Sequence, residues 1–173
     1  MNLSRQMLGV YLISLLFACG GGTSSTVDNR TTENNNNDIQ TIEGTPSGTV
    51  ILSGPDTNIV GTILTPTIYF LNLPSVVFPF NEIVLIGTNN LGDEFSLAIA
   101  HSGDEFSSIA MGVFRGGEGT GFGCTKPVTH FINCDNGISI DVDTRTVTLT
   151  NVPTLNTDPM VDNVLTLNGT ITW

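Results

Sequence analysis

Residues 138–152 read ISIDVDTRTVTLTNV. Ile138, Ile140 and Val142 alternate with Ser139 and Asp141, and Val147, Leu149 and Val152 are interleaved with Thr148, Thr150 and Asn151. A period of two puts one face of a strand against a core and the other in water. Two such runs joined by the short polar stretch Asp143-Thr144-Arg145 predict an antiparallel hairpin. The last ten residues, VLTLNGTITW, repeat the pattern. Leu165, Leu167, Gly169, Ile171 and Trp173 share one face, and Thr166, Asn168, Thr170 and Thr172 share the other.

The same signature extends outward. From Thr45 to the end the chain holds 19 Thr, 12 Val and 12 Ile but three Ala and one Lys. β-Branched side chains favour strands, and good helix formers are scarce. Further short apolar runs lie between Gly, Pro, Asn and Asp: TVILS, NIVGTIL, TIYFLNL, EIVLIG, FSLAIAH, FSSIAMGVF and VTHFI. Ten short strands in one domain over residues 48–173 predict an all-β fold. The expected architecture is a two-layer sandwich, Ig-like or jelly-roll-like, or a small barrel. A final aromatic after an alternating strand also fits an outer-membrane barrel. Runs of five to seven residues and few Tyr or Trp argue against that form, which needs strands of about 9–11 residues and aromatic girdles. Trp173 is expected to pack at the core or edge of the last strand.

Residues 1–18 have a different character. Arg5 precedes an apolar run from Met7 to Phe17, too short to span a bilayer as a helix and arranged as a secretory signal peptide. Leu16-Phe17-Ala18-Cys19 then resembles the lipobox of bacterial lipoproteins. That resemblance covers only the first 22 residues or so. It implies cleavage before Cys19 and lipidation of its thiol, and Gly20 in place of Asp implies sorting to the outer membrane. Two or three acyl chains hold a protein stably at a bilayer. Residues 20–47, rich in Gly, Ser, Thr and Asn, lack apolar periodicity and are expected to form a flexible tether between the lipidated Cys19 and the β domain.

Charge and cysteine content narrow the partners. From Cys19 onward 16 acidic residues face four basic ones, a net of −12. No basic face for nucleic acid can be built from these. Cys124 and Cys134 form an even pair in an exported domain, which predicts a disulfide. Zinc is the rival reading, with His101 and His130 as the available imidazoles, but their spacing to Cys124 and Cys134 fits no standard ligand pattern.

One repeat invites a chemical reading. GDEF occurs at Gly92–Phe95 and again at Gly103–Phe106. It resembles the end of the Gly-Gly-Asp-Glu-Phe signature of diguanylate cyclases, yet Leu91 and Ser102 stand where the first glycine belongs. Asp93, Glu94, Asp104 and Glu105 are hard oxygen donors that could suit Ca²⁺. The favoured expectation is two strand entries, with Phe95 and Phe106 as their first core anchors and the acidic pairs at opposite ends of a hairpin.

The run RGGEGTGFG, residues 115–123, matches neither a dinucleotide fingerprint nor a P-loop. It is expected to be a flexible loop, with Phe122 and Arg115 as its candidate ligand contacts. His101 and His130 sit in apolar runs without a nucleophile motif. Asp141 and Asp143 share a strand face and could form a carboxylate pair. The expectation is therefore a non-enzymatic binding or structural module at the cell envelope. Its partners would be the membrane through the lipid, and an envelope protein or glycan; no cofactor is expected. The alternatives are a hydrolase on a β scaffold and a Ca²⁺-stabilised adhesion module.

Overall fold

The computed structural model describes residues 41–74, 79–128, 131–134, 136–158 and 160–173. These residues form ten strands and one helical turn: β1 (Thr41–Gly44), β2 (Ser47–Ser53), α1 (Thr57–Val60), β3 (Ile63–Asn72), β4 (Asn81–Asn89), β5 (Glu94–Ser102), β6 (Phe106–Arg115), β7 (Glu118–Lys126), β8 (Ile138–Asp141), β9 (Thr146–Asn156) and β10 (Val164–Thr172). Eight strands close on themselves in the order β3-β2-β10-β9-β7-β6-β5-β4, and β4 returns to β3. Every neighbouring pair is antiparallel. The architecture is a closed up-and-down barrel; of the two expected forms, the small barrel is the one found.

Two short strands complete the wall. β1 and β2 lie end to end along the same edge of β3, with Gly44 opposite Tyr69 and Val50 opposite Leu64. Among the described residues, strand pairing reaches back to Thr41, seven residues before the expected domain start at 48. β8 pairs with β9 from Ile138 opposite Leu149 to Asp141 opposite Thr146, which is the hairpin read from the alternation. β7 meets β9 only at Phe122–Asn156 and Gly123–Leu155. Below that contact, Ile132 bridges Cys124, and the Cys124–Cys134 disulfide fastens the returning chain to β7.

The expected strand runs are redistributed. NIVGTIL is not a strand at its start: Thr57–Val60 is helical and Gly61 ends it at φ +83. Of VTHFI, the described Ile132 forms an isolated bridge to Cys124. The glycine-rich run is not a loop either. Gly116 and Gly117, both at positive φ, make a two-residue hairpin turn of the kind that matches strand twist. Residues from Glu118 onward continue as β7. On its outer face the Phe114 ring lies where side chains of Gly112 and Gly119 would stand, an aromatic covering for glycines in a sheet.

The barrel interior is filled by side chains. Leu64, Leu71, Ile83, Leu85, Phe95, Leu97, Ile99, Ile109, Phe122, Leu165, Leu167 and Ile171 are all fully buried. Eight strands leave an interior just wide enough for such a core. Outward faces are of two kinds. On β2, β8, β9 and β10 they carry short polar side chains in register: Ser47, Thr172, Thr146 and the carboxylate of Asp141 form one row, and Thr49, Thr170, Thr148 and Ser139 the next. On β3 and β4 they carry Ile68, Phe70, Val84 and Ile86. Several wall strands reach nine to eleven residues, as long as those of membrane barrels, but an apolar interior with polar outer rows is the reverse of a membrane barrel's layout.

Candidate functional site

The barrel has two ends. The upper rim carries the 54–62, 90–93, 116–117 and 157–163 connections. The lower rim carries residues 103–105 and 142–145, the chain entry at β1 and the C-terminal Trp173. There Tyr69 and Trp173 stack with ring centroids 5.9 Å apart.

Polar groups concentrate at the upper rim. α1 is too short to hold itself together, and side chains from other strands fix it. The buried Asp56 accepts hydrogen bonds from Asn156 Nδ2 (3.0 Å) and Asn163 Nδ2 (2.5 Å). Asn89 Nδ2 donates to the Val60 carbonyl at 2.9 Å and to Asp93 Oδ2 at 3.1 Å. Asn90 Oδ1 accepts the N–H groups of Thr62 and Ile63. Val60, fully buried, stoppers the upper end of the core.

Arg115 completes this network. Its Nε and Nη2 donate to Asp93 Oδ1 (2.9 Å) and Oδ2 (2.6 Å), and Nη2 also donates to the Ile59 carbonyl at 3.1 Å. The bidentate geometry is the strong form of an Arg–carboxylate pair. The guanidinium hydrogen bonds hold the Asp93 carboxyl below its ordinary range, with help from Asn89. The same hydrogen bonds raise Arg115 further. Beside this pair lies an open cleft of about 250 Å³, lined by Ile59, Val60, Val113, Arg115, Glu118 and Thr120. Ile59, in its lining, is 46% exposed, and Leu91 and Met160, on other connections of the same rim, are 48 and 90% exposed.

The residues singled out from the sequence are therefore dispersed. Arg115 lines the cleft and is bonded to Asp93. Phe122 is not a ligand contact: it points into the barrel and is 1% exposed, because alternation along β7 sends Thr120, Phe122 and Cys124 inward and the glycines outward. Asp93 ends the connection before β5 and Glu94 begins the strand, whereas Asp104 and Glu105 lie in the turn after it, about 30 Å away at the usual rise per residue. The two acidic pairs do not share a site, and the described residues contain no group of three or more His, Cys, Asp or Glu suited to a metal. Phe95 is a core anchor as expected; Phe106 is not, and stacks outside on Phe80 at 4.8 Å.

Asp141 Oδ1 accepts the N–H groups of Asp143 and Thr144, so it caps the hairpin turn rather than pairing with Asp143. These bonds, the Thr144 N–H foremost, depress its pKa. His101 stands near the lower rim, where burial lowers its pKa, opposed by Asp104 and reinforced by Lys126. His130 lies outside the described residues. Cys124 and Cys134 are joined, with Cα atoms 5.0 Å apart, and both sulfurs are buried.

The cleft itself was not legible beforehand. Ile59, Val60, Glu118 and Thr120 belong to segments that are distant in sequence and meet only because the barrel closes. Compared with known protein families, curated proteins and solved structures, the chain shows no match to any.

Proposed function

We propose that this protein is a non-enzymatic binding module of the bacterial envelope, lipid-anchored to the outer membrane through Cys19, whose upper rim meets a protein partner. The observation that carries this reading is the upper rim itself. A short helical turn, three loops and the Arg115–Asp93 pair are cross-fastened into one rim that holds a cleft lined in part by Ile59 and also exposes Leu91 and Met160. Exposed apolar side chains on a rigid frame are a common basis of recognition.

The chain enters the barrel at the lower rim, where Thr41 pairs with Asn72. Twenty-one residues, 20–40, separate the lipid-bearing Cys19 from that point. As a flexible linker they would span about 25 Å on average, which would keep the barrel near the membrane without fixing its orientation.

The test combines fractionation with crosslinking in a Gram-negative host. Wild type should carry a diacylglyceryl mass and pellet with outer membrane, and Cys19→Ala should do neither. A photo-crosslinking residue at Leu91 or Met160 should trap a discrete protein adduct, whereas one at Thr148 on the hydroxyl-bearing wall should not. Soluble wild type, or adducts equal at all three positions, would count against the reading.

A further inference from the structure

We infer that the upper-rim cleft is a receptor for a lysine side chain on a basic partner surface. The inference rests on the reading of the upper rim as the binding face, and it names what enters the cleft.

The electrostatics of the cleft are unusual for a site containing arginine. Strand register puts Glu118 directly opposite Arg115 across the two-residue turn, and a cross-strand ion pair would be the default outcome. Arg115 turns instead to Asp93 and the Ile59 carbonyl. Its charge is neutralised there, and Glu118 is left without a hydrogen bond or ion pair among the described residues. The cleft therefore presents one uncompensated carboxylate, the Thr120 hydroxyl and an apolar lining of Ile59, Val60 and Val113.

An anionic ligand would meet Glu118 and an arginine already neutralised. An alkylammonium fits both parts: its methylene stem lies on the apolar lining while the charged head reaches the carboxylate, as lysine does at amphipathic surfaces. The surroundings reinforce that preference. Glu94, Asp158 and Asp162 belong to the same end of the barrel as Asp93 and Glu118, with Arg115 the one cation on these segments. The chain from Cys19 onward carries a net of −12. Such a field attracts a basic surface and speeds its association.

The probe is Nα-acetyl-lysine N-methylamide, titrated into the folded domain and followed by amide chemical shifts. Acetyl-norleucine N-methylamide, which keeps the stem and lacks the charge, is the control. Shifts should centre on Val60, Val113, Glu118 and Thr120, and should weaken with added salt. Glu118→Gln should weaken lysine binding by about three- to five-fold, the range of a solvent-accessible ion pair, and should leave the melting temperature unchanged. Equal binding of norleucine, shifts centred elsewhere, or unchanged affinity in Glu118→Gln would overturn the lysine assignment. The crosslinking at Leu91 and Met160 keeps the two readings apart. Adducts without lysine binding leave the rim as the docking face and remove only its proposed occupant. Absence of both removes the rim as well.

Discussion

At the residue scale, the pH response of the fold is set by single carboxylates in unlike surroundings. Asp93 has a depressed pKa because Arg115 and Asn89 donate to it. A depressed folded-state value contributes stability above the unfolded pKa of about 3.9, which is lost as pH falls through the folded value. Melting curves between neutral pH and pH 2 should therefore show a steeper acid loss for wild type than for Asp93→Asn. Glu82 has the opposite sign. On the outer face of β4, burial raises its pKa, and the 2.8 Å bond from Asn72 Nδ2 only partly offsets that. A raised value favours the fold below the unfolded pKa and opposes it as pH rises through the folded one. Glu82→Gln should accordingly raise the melting temperature at pH 7, and the gain should vanish near pH 4. Neither environment was legible in the sequence: Asp93 and Arg115 lie 22 residues apart and meet only through the β5–β6 pairing. Phe122 departs from its expected place for a simpler reason. Glycine-rich composition suggested a loop, although the inward residues Thr120, Phe122 and Cys124 already alternate.

At the element scale, the repeated GDEF shows what an odd period does in a hairpin. β5 and β6 pair so that residues of like parity share a face, as with Ile99 opposite Ile109. A copy displaced by eleven positions must then face the other way, so Phe95 enters the core and Phe106 leaves it. The β8–β9 hairpin was legible because a period-two pattern and a polar turn are local properties. β1 was not, because TIEG has little apolar content and is held by the edge of β3. Where the contact between β7 and β9 is thin, the disulfide-fastened segment below it closes the seam. Closing a loop of this size contributes about 2.5–3 kcal/mol in the chain-entropy model. The Cys124→Ala, Cys134→Ala double variant should lose about that much in urea unfolding. Reducing wild type under denaturing conditions should lower its refolded stability to match. A loss much below 1 kcal/mol would mean that β8 and the residue 131–134 segment hold the seam unaided.

At the scale of the whole molecule, closure is what alternation alone could not reveal. A sandwich and a barrel require the same strands with one wet face. They differ in whether the last edge finds the first, and here β10 pairs with β2 while β3 pairs with β4. Irregularities that bend the wall are visible afterwards: the register shift between Pro66 and Ile68, and the bulge where Asn151, at φ +51, sits opposite Asn168. A closed ring with one interior should also unfold as one unit. Trp173, the single tryptophan, lies at the lower rim, so its fluorescence reports one end, whereas far-UV circular dichroism reports all strands. The two transitions should coincide in urea. Leu97 on β5 and Leu165 on β10 stand on opposite walls, both fully buried. Substituting either by alanine should cost about 2–5 kcal/mol and move both signals together with an unchanged slope. If Leu97→Ala shifts the dichroism while leaving the tryptophan transition in place, the two walls are separate cooperative units. The β3–β4 and β10–β2 pairings would then be too weak to make the closed ring a single folding domain.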